Sequence, residues 1–149
     1  MALTTQEFVQ IAHAHAAAEA RDDLETTLAT LEADPVYELL PMGLAFRGRD
    51  ATRTYYEHFF TTVKSMVVGY ELRNEWVNDR GLAQEYRIDF RGADGTVERH
   101  PVLGILMFGE TALSGERIYA SDRLLELLIG PAMVLARSIP GAGEPGRAR

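Results

Sequence analysis

A chain of 149 residues has the length of one domain with a core of its own, and 46% hydrophobic with 25% charged residues is the balance of a soluble globular protein. The net charge of −7, with no run of Lys and Arg, argues against a nucleic-acid partner, and the lack of any cysteine excludes disulfides, thiolate metal sites and cysteine nucleophiles. The longest apolar run, 124–136, is interrupted by Glu126, Gly130 and Pro131, and the N-terminus has no basic segment ahead of an apolar core, so the expectation is a cytoplasmic protein without a membrane partner.

Thr4 and Glu7 form a capping box that opens a first helix, whose buried stripe is Phe8, Ile11, Ala12 and His15. Asp22 or Asp23 caps a second, short helix through Leu24, Leu28 and Leu31, ended by Asp34-Pro35. Val36 to Leu40 is a short strand, and Gly43 to Gly48 a loop or short extended piece. Asp50 caps a third helix with Tyr55, His58, Phe59 and Val63 on its apolar side. From Val67 the period changes to two. Val67–Val77, Leu82–Arg91, Thr96–Phe108 and Glu116–Ala120 read as four strands of an antiparallel meander, with turns at Asn78–Gly81, Ala93–Gly95 and Gly109–Gly115. Pro101 and Gly104 predict a bulge or bend in the third of these. Ser121 or Asp122 caps a last helix through Leu128, and the Pro/Gly-rich segment beyond Ser138 has the composition of a disordered tail. The plan is α+β: helices packed on a strongly curved, mostly antiparallel sheet that encloses a cone-shaped pocket. One domain over 1–130 is followed by an extension over 131–149 that is partly disordered.

The strand around Gly81–Phe90 carries two polar sets. Gln84 and Tyr86 fall on one face; Glu85, Arg87 and Asp89 fall on the other with Ala83. If Ile88 and Phe90 point to a core, Arg87 and Asp89 line the opposite face, which is either solvent or a pocket. Glu116 shares its phase with Ile118 and is either a solvated charge at the start of a strand or an inward carboxyl. Tyr37 is a hydroxyl donor or ordinary core. His100, ahead of Pro101, is a base or a polar rim residue. Tyr55, Tyr56, Phe59 and Phe60 line a lipophilic cavity or simply pack, and Trp76 has the same ambiguity, with a dimer sheet face as its other address. His13 and His15 diverge on their helix, one buried and one exposed, and cannot share a metal. No spacing of carboxylate and histidine predicts a metal site, and no glycine-rich phosphate loop occurs.

The order of helices, short strand, long helix and meander resembles the nuclear transport factor 2-like superfamily over nearly the whole stretch from Thr5 to Gly130. Gly48-Arg49-Asp50-Ala51-Thr52-Arg53-Thr54-Tyr55-Tyr56 resembles the glycine-led start of the long helix in SnoaL-like proteins. Glu116-Arg117-Ile118-Tyr119, with Asp122 and Leu124 to Gly130, resembles their closing strand and helix. Val36 to Pro41 together with Arg87-Ile88-Asp89 looks like the limonene-1,2-epoxide hydrolase branch. That resemblance implies a cavity address for Arg87 and Asp89, with Asp89 as proton donor, Arg87 as its electrostatic partner and Tyr37 as hydroxyl donor. Leu39 stands where the branch has an asparagine, and Ile118 where it has a second aspartate, so the acid half of the site is present and the water-activating half is not. Glu116 is then the candidate second carboxylate. Tyr56, Leu39, Phe59, His100 and Ile118 are the expected substrate contacts. The reading is a cofactor-free acid–base enzyme, of epoxide hydrolase or polyketide cyclase/isomerase type, that acts on a small apolar molecule and forms a homodimer. The alternative is a binding or dimerisation domain of the same fold.

Overall fold

A computed structural model describes residues 1–140. Helix α1 (Thr5–Ala20) begins with the expected capping box, in which the Thr4 side chain accepts from the Glu7 amide while the Glu7 carboxylate reaches back to Thr4. Asp23 caps the short α2 (Leu24–Ala29) through the Thr26 amide, and α2 stops two residues earlier than its leucine spacing predicts. Leu31 belongs instead to β1 (Leu31–Leu40), which runs through Asp34-Pro35 by shifting its register between Leu31 and Val36. β2 (Leu44–Arg47) turns back antiparallel to β1. Helix α3 (Arg49–His58) is capped by Gly48 at φ 92° rather than by Asp50, which lies in its first turn; only glycine adopts that backbone cheaply. A π-helical turn (Phe59–Val63) and a 3-10 turn (Lys64–Met66) extend it to the sheet.

The meander is β3 (Val67–Asn78), β4 (Gly81–Arg91), β5 (Val97–Phe108) and β6 (Leu113–Tyr119). Asn78 closes the β3–β4 turn by accepting from the Arg80 and Gly81 amides. Register between β4 and β5 is unbroken from Gly81 opposite Met107 to Arg91 opposite Val97, so Pro101 and Gly104 make no bulge there. Pro101 is tolerated because β6 pairs with β5 only from Leu103 onward, leaving that edge of β5 without a partner for the missing amide. The irregularities fall in β3, between Val67 and Gly69 and between Leu72 and Asn74, and at Met107–Phe108.

Ser121 caps α4 (Asp122–Ile129), a 3-10 turn spans Gly130–Leu135, and β7 (Arg137–Ser138) adds to the far edge through β2. The seven strands are ordered β3-β4-β5-β6-β1-β2-β7, all neighbours antiparallel except β1 and β6. Helices α1, α3 and α4 lie over the concave face, and Leu28, Phe46, Val63, Leu113, Leu124, Leu125 and Ile129 fill the core between them. Among the described residues no helix is long and apolar enough to cross a membrane. Of the C-terminal extension, 141–149 lie outside the described residues.

Candidate functional site

Between α1, the α3 segment and the curved sheet lies a cavity of about 480 Å³. Strand β4 contributes its even-numbered residues to the wall: Leu82, Gln84, Tyr86 and Ile88. Strand alternation then puts Arg87 and Asp89 on the opposite face, away from the cavity, which corrects the address expected from the family resemblance. Asp89 is only 6% exposed there. It accepts from Arg87 at 3.1 and 3.2 Å, lies 3.9 Å from Arg99, and occupies space that a Cβ on Gly69 would enter at 2.7 Å. Arg87 is shared with Glu71 at 3.0 Å. These groups neutralise one another on the outer surface of the sheet.

The inward carboxyl is Glu116. It lines the cavity on β6 together with Ile118, two residues on. Gly104 on β5 leaves it room, since a Cβ there would stand 2.7 Å from Glu116 Oε1. Among the described residues Glu116 has no hydrogen-bond or ion-pair partner. Removal from water, with repulsion from Glu19 added and His15 opposing, raises its carboxyl to about 8. At neutral pH it is therefore mainly the uncharged acid.

Facing it across the cavity is a pair that α1 supplies. His15 and Glu19 are one helical turn apart and both enter the lining. Thr30 donates its hydroxyl proton to the Thr27 carbonyl at 2.6 Å, so the 2.6 Å contact of His15 Nδ1 with the Thr30 oxygen requires Nδ1–H as donor. His15 Nε2 then meets Glu19 Oε1 at 3.0 Å and the Tyr56 hydroxyl at 2.9 Å. Burial disfavours a charged imidazole, but the adjoining Glu19 carboxylate outweighs it and holds His15 above its ordinary value. Burial likewise opposes the Glu19 charge, and His15, Tyr56 and Lys64 more than compensate, keeping Glu19 below the usual carboxylate value. Tyr56 donates to Glu19 at 2.8 Å, and Tyr37 donates to the Tyr56 oxygen at 2.8 Å. Burial pushes both phenols well above their ordinary value, so both remain neutral donors.

The other expected residues divide by position. Phe59 and Ile118 are in the cavity wall. Tyr37, Tyr56 and Leu39 are fully buried behind it; Tyr37 stacks on Phe46 at 5.0 Å, and Leu39 pairs with Leu44 and Ile118. His100 is outside the wall, bonded to Glu98 at 3.1 Å and edge-on to Phe90. The residues missed from sequence are Glu19, His15 as a site member, and Lys64. Lys64 lines the cavity while its ammonium donates to the Glu19 and Ala20 carbonyls at 2.8 and 3.2 Å and pairs with Asp22, fastening the end of α1. The signal available for the first two was the spacing of His15 and Glu19 on the buried stripe of α1.

No protein-family model matches the chain, and no curated protein matches it. Solved structures do. A nuclear transport factor 2-like protein from Burkholderia xenovorans LB400 superposes with a TM-score of 0.65 at 17% identity, over 85% of this chain and 98% of its own. A protein from Xanthomonas campestris pv. campestris, proposed to be a polyketide cyclase, gives 0.61 at 17% identity over 85% and 98%. A protein with a ketosteroid isomerase-like fold from Catenulispora acidiphila DSM 44928, solved with trimethylamine, gives 0.58 at 17% identity over 83% and 95%. The likeness at such identities is one of architecture: the chain has the α+β nuclear transport factor 2-like fold.

Proposed function

We propose that the protein is a cofactor-independent acid–base enzyme for a small, apolar, oxygen-bearing substrate such as an epoxide or a polyketide-like carbonyl compound. The observation that carries this reading is Glu116, an unpartnered carboxyl held protonated near neutral pH inside an apolar cavity. Two carboxyls with divergent protonation, Glu116 neutral and Glu19 ionised, are the arrangement that separates an acid from a base. For an epoxide, Glu116 gives its proton to the ring oxygen as the C–O bond breaks. Water adds to the carbon released and passes its proton toward Glu19, and return of a proton to Glu116 resets the site. His15 and Tyr56 hold Glu19 in place, and Tyr37 positions Tyr56. Arg87 and Asp89 have no part in this scheme.

The test is turnover of an epoxide and cyclisation panel by Glu116→Gln. Loss of at least about 100-fold is expected for a missing general acid, and full activity would sink the assignment. A second reading, ligand binding without chemistry, is favoured by the apolar Leu39 and Ile118 where the resembling branch activates water. It predicts no turnover across the panel while apolar molecules still raise the melting temperature.

A further inference from the structure

The charges in the cavity wall are unevenly matched. His15 is spent on Glu19, and Lys64 on two carbonyls and Asp22. Glu116 is left without a cation among the described residues. Among the aliphatic side chains of the lining stand two aromatic pairs: Tyr55 and Phe59 pack at 6.1 Å between centroids, and Tyr70 and Tyr86 at 5.4 Å. A cavity with aromatic walls, whose other charges, His15, Glu19 and Lys64, are already paired while one carboxyl is not, is suited to an organic cation, which rings attract through their electron-rich faces. The cavity, at about 480 Å³, falls within the range of sites that hold small organic molecules, about 300–1,000 Å³.

We propose that this cavity takes a small lipophilic amine as its ammonium ion, with the Glu116 carboxylate as counter-ion and Tyr55, Phe59, Tyr70 and Tyr86 as walls. The proposal rests on the same carboxyl that the enzymatic reading uses as acid, but it does not need turnover. Groups facing Glu116 are His15 and Glu19 from α1, Lys64 and Tyr55 from the α3 segment, Tyr37 from β1, Tyr70 from β3 and Tyr86 from β4. None of them offers Glu116 a free positive charge, so the ammonium supplies it.

Free Glu116 is an uncharged acid at pH 7, with its carboxyl at about 8. An amine arriving as ammonium makes the ion pair only if Glu116 releases its proton to solvent, at about 0.9 proton per site at pH 7 by linkage.

The experiment is calorimetric titration with N,N-dimethylcyclohexylamine and with 1-cyclohexylethanol, a neutral molecule of similar size, in phosphate and in Tris at pH 7. The expected result is at least tenfold tighter binding of the amine, with a buffer dependence of the heat that reports release of nearly one proton. Glu116→Gln should abolish both the preference and the release while still binding the alcohol. Equal affinities, or no proton release in the unaltered protein, would overturn the proposal; so would an unchanged preference in Glu116→Gln. Loss of epoxide turnover in that variant without any amine preference sinks this inference and leaves the acid assignment standing. Amine preference without turnover upholds this inference and sinks the enzymatic reading.

Discussion

Asp89 and Glu116 are carboxyls on strands of the same sheet, and the glycine beside each leaves the same room. A Cβ on Gly69 would stand 2.7 Å from Asp89, and one on Gly104 would stand 2.7 Å from Glu116. Their surroundings then diverge. Asp89, on the outer face, is answered by Arg87 and Arg99, and Arg99 is itself 72% exposed. Glu116, on the inner face, meets a cavity of tyrosines and aliphatic side chains and has a carboxyl near 8. A strand can hide a carboxyl on either side; what holds one of them protonated near neutral pH is the absence of a neutralising partner combined with desolvation.

The largest expected separation between the two is catalytic. Glu116→Gln should lower kcat/KM by about 100-fold or more, whereas Asp89→Asn should leave it within about twofold, a change under about 0.5 kcal/mol in barrier. Comparable losses in the two variants would erase the distinction. The glycines sharpen it further: Gly104→Ala should depress turnover by displacing the Glu116 carboxyl, while Gly69→Ala should spare turnover and cost only stability. Steady-state rates set beside melting temperatures separate these outcomes.

Stability should follow pH through the inner site. Between about 4.5 and about 8 the folded protein binds a proton at Glu116 that the unfolded chain does not, so stability is full below that window and falls as pH rises through it. His15, also raised, adds to the same alkaline loss above its ordinary value of 6.5. Glu116→Gln should flatten the slope and melt higher than the unaltered protein at a pH of about 8.5; an unchanged slope in thermal scans would contradict the account. Tyr56→Phe, which removes the donor to Glu19 and leaves Tyr37 without its acceptor, should cost about 1–3 kcal/mol in denaturant titrations. The smallest effect belongs to the outer face: Asp89→Asn should cost about 1 kcal/mol, because its arginines reach water when it is gone.

Much of the architecture was legible in the sequence because its signals are local. The Thr4–Glu7 capping box, the Asn78–Gly81 turn and the change to a period of two at Val67 each need only neighbouring residues. The start of β1 was hidden because Asp34-Pro35 interrupts the strand pattern, and β7 because Arg137–Ser138 is too short to show any period. In the site, the common phase of Glu116 and Ile118 was readable, and both line the cavity. The inside address of Arg87 and Asp89 was not, since alternation sorts a strand into two sets without saying which set the helices cover. Ile88 and Phe90 were the better guides: both are buried on the cavity side, and they carry Tyr86 and Gln84 with them. His15 and Glu19 read as parts of a helix because their partners, Thr30 and Tyr56, come from elsewhere in the chain.

The most direct test is the titration of the Glu116 carboxyl itself, followed by carbon-detected NMR in the unaltered protein and assigned with Glu116→Gln. A midpoint of about 8 is predicted. A midpoint near the ordinary value of 4.5 would mean that Glu116 is ionised and solvated at neutral pH, and the inner carboxyl would be no more an acid than Asp89.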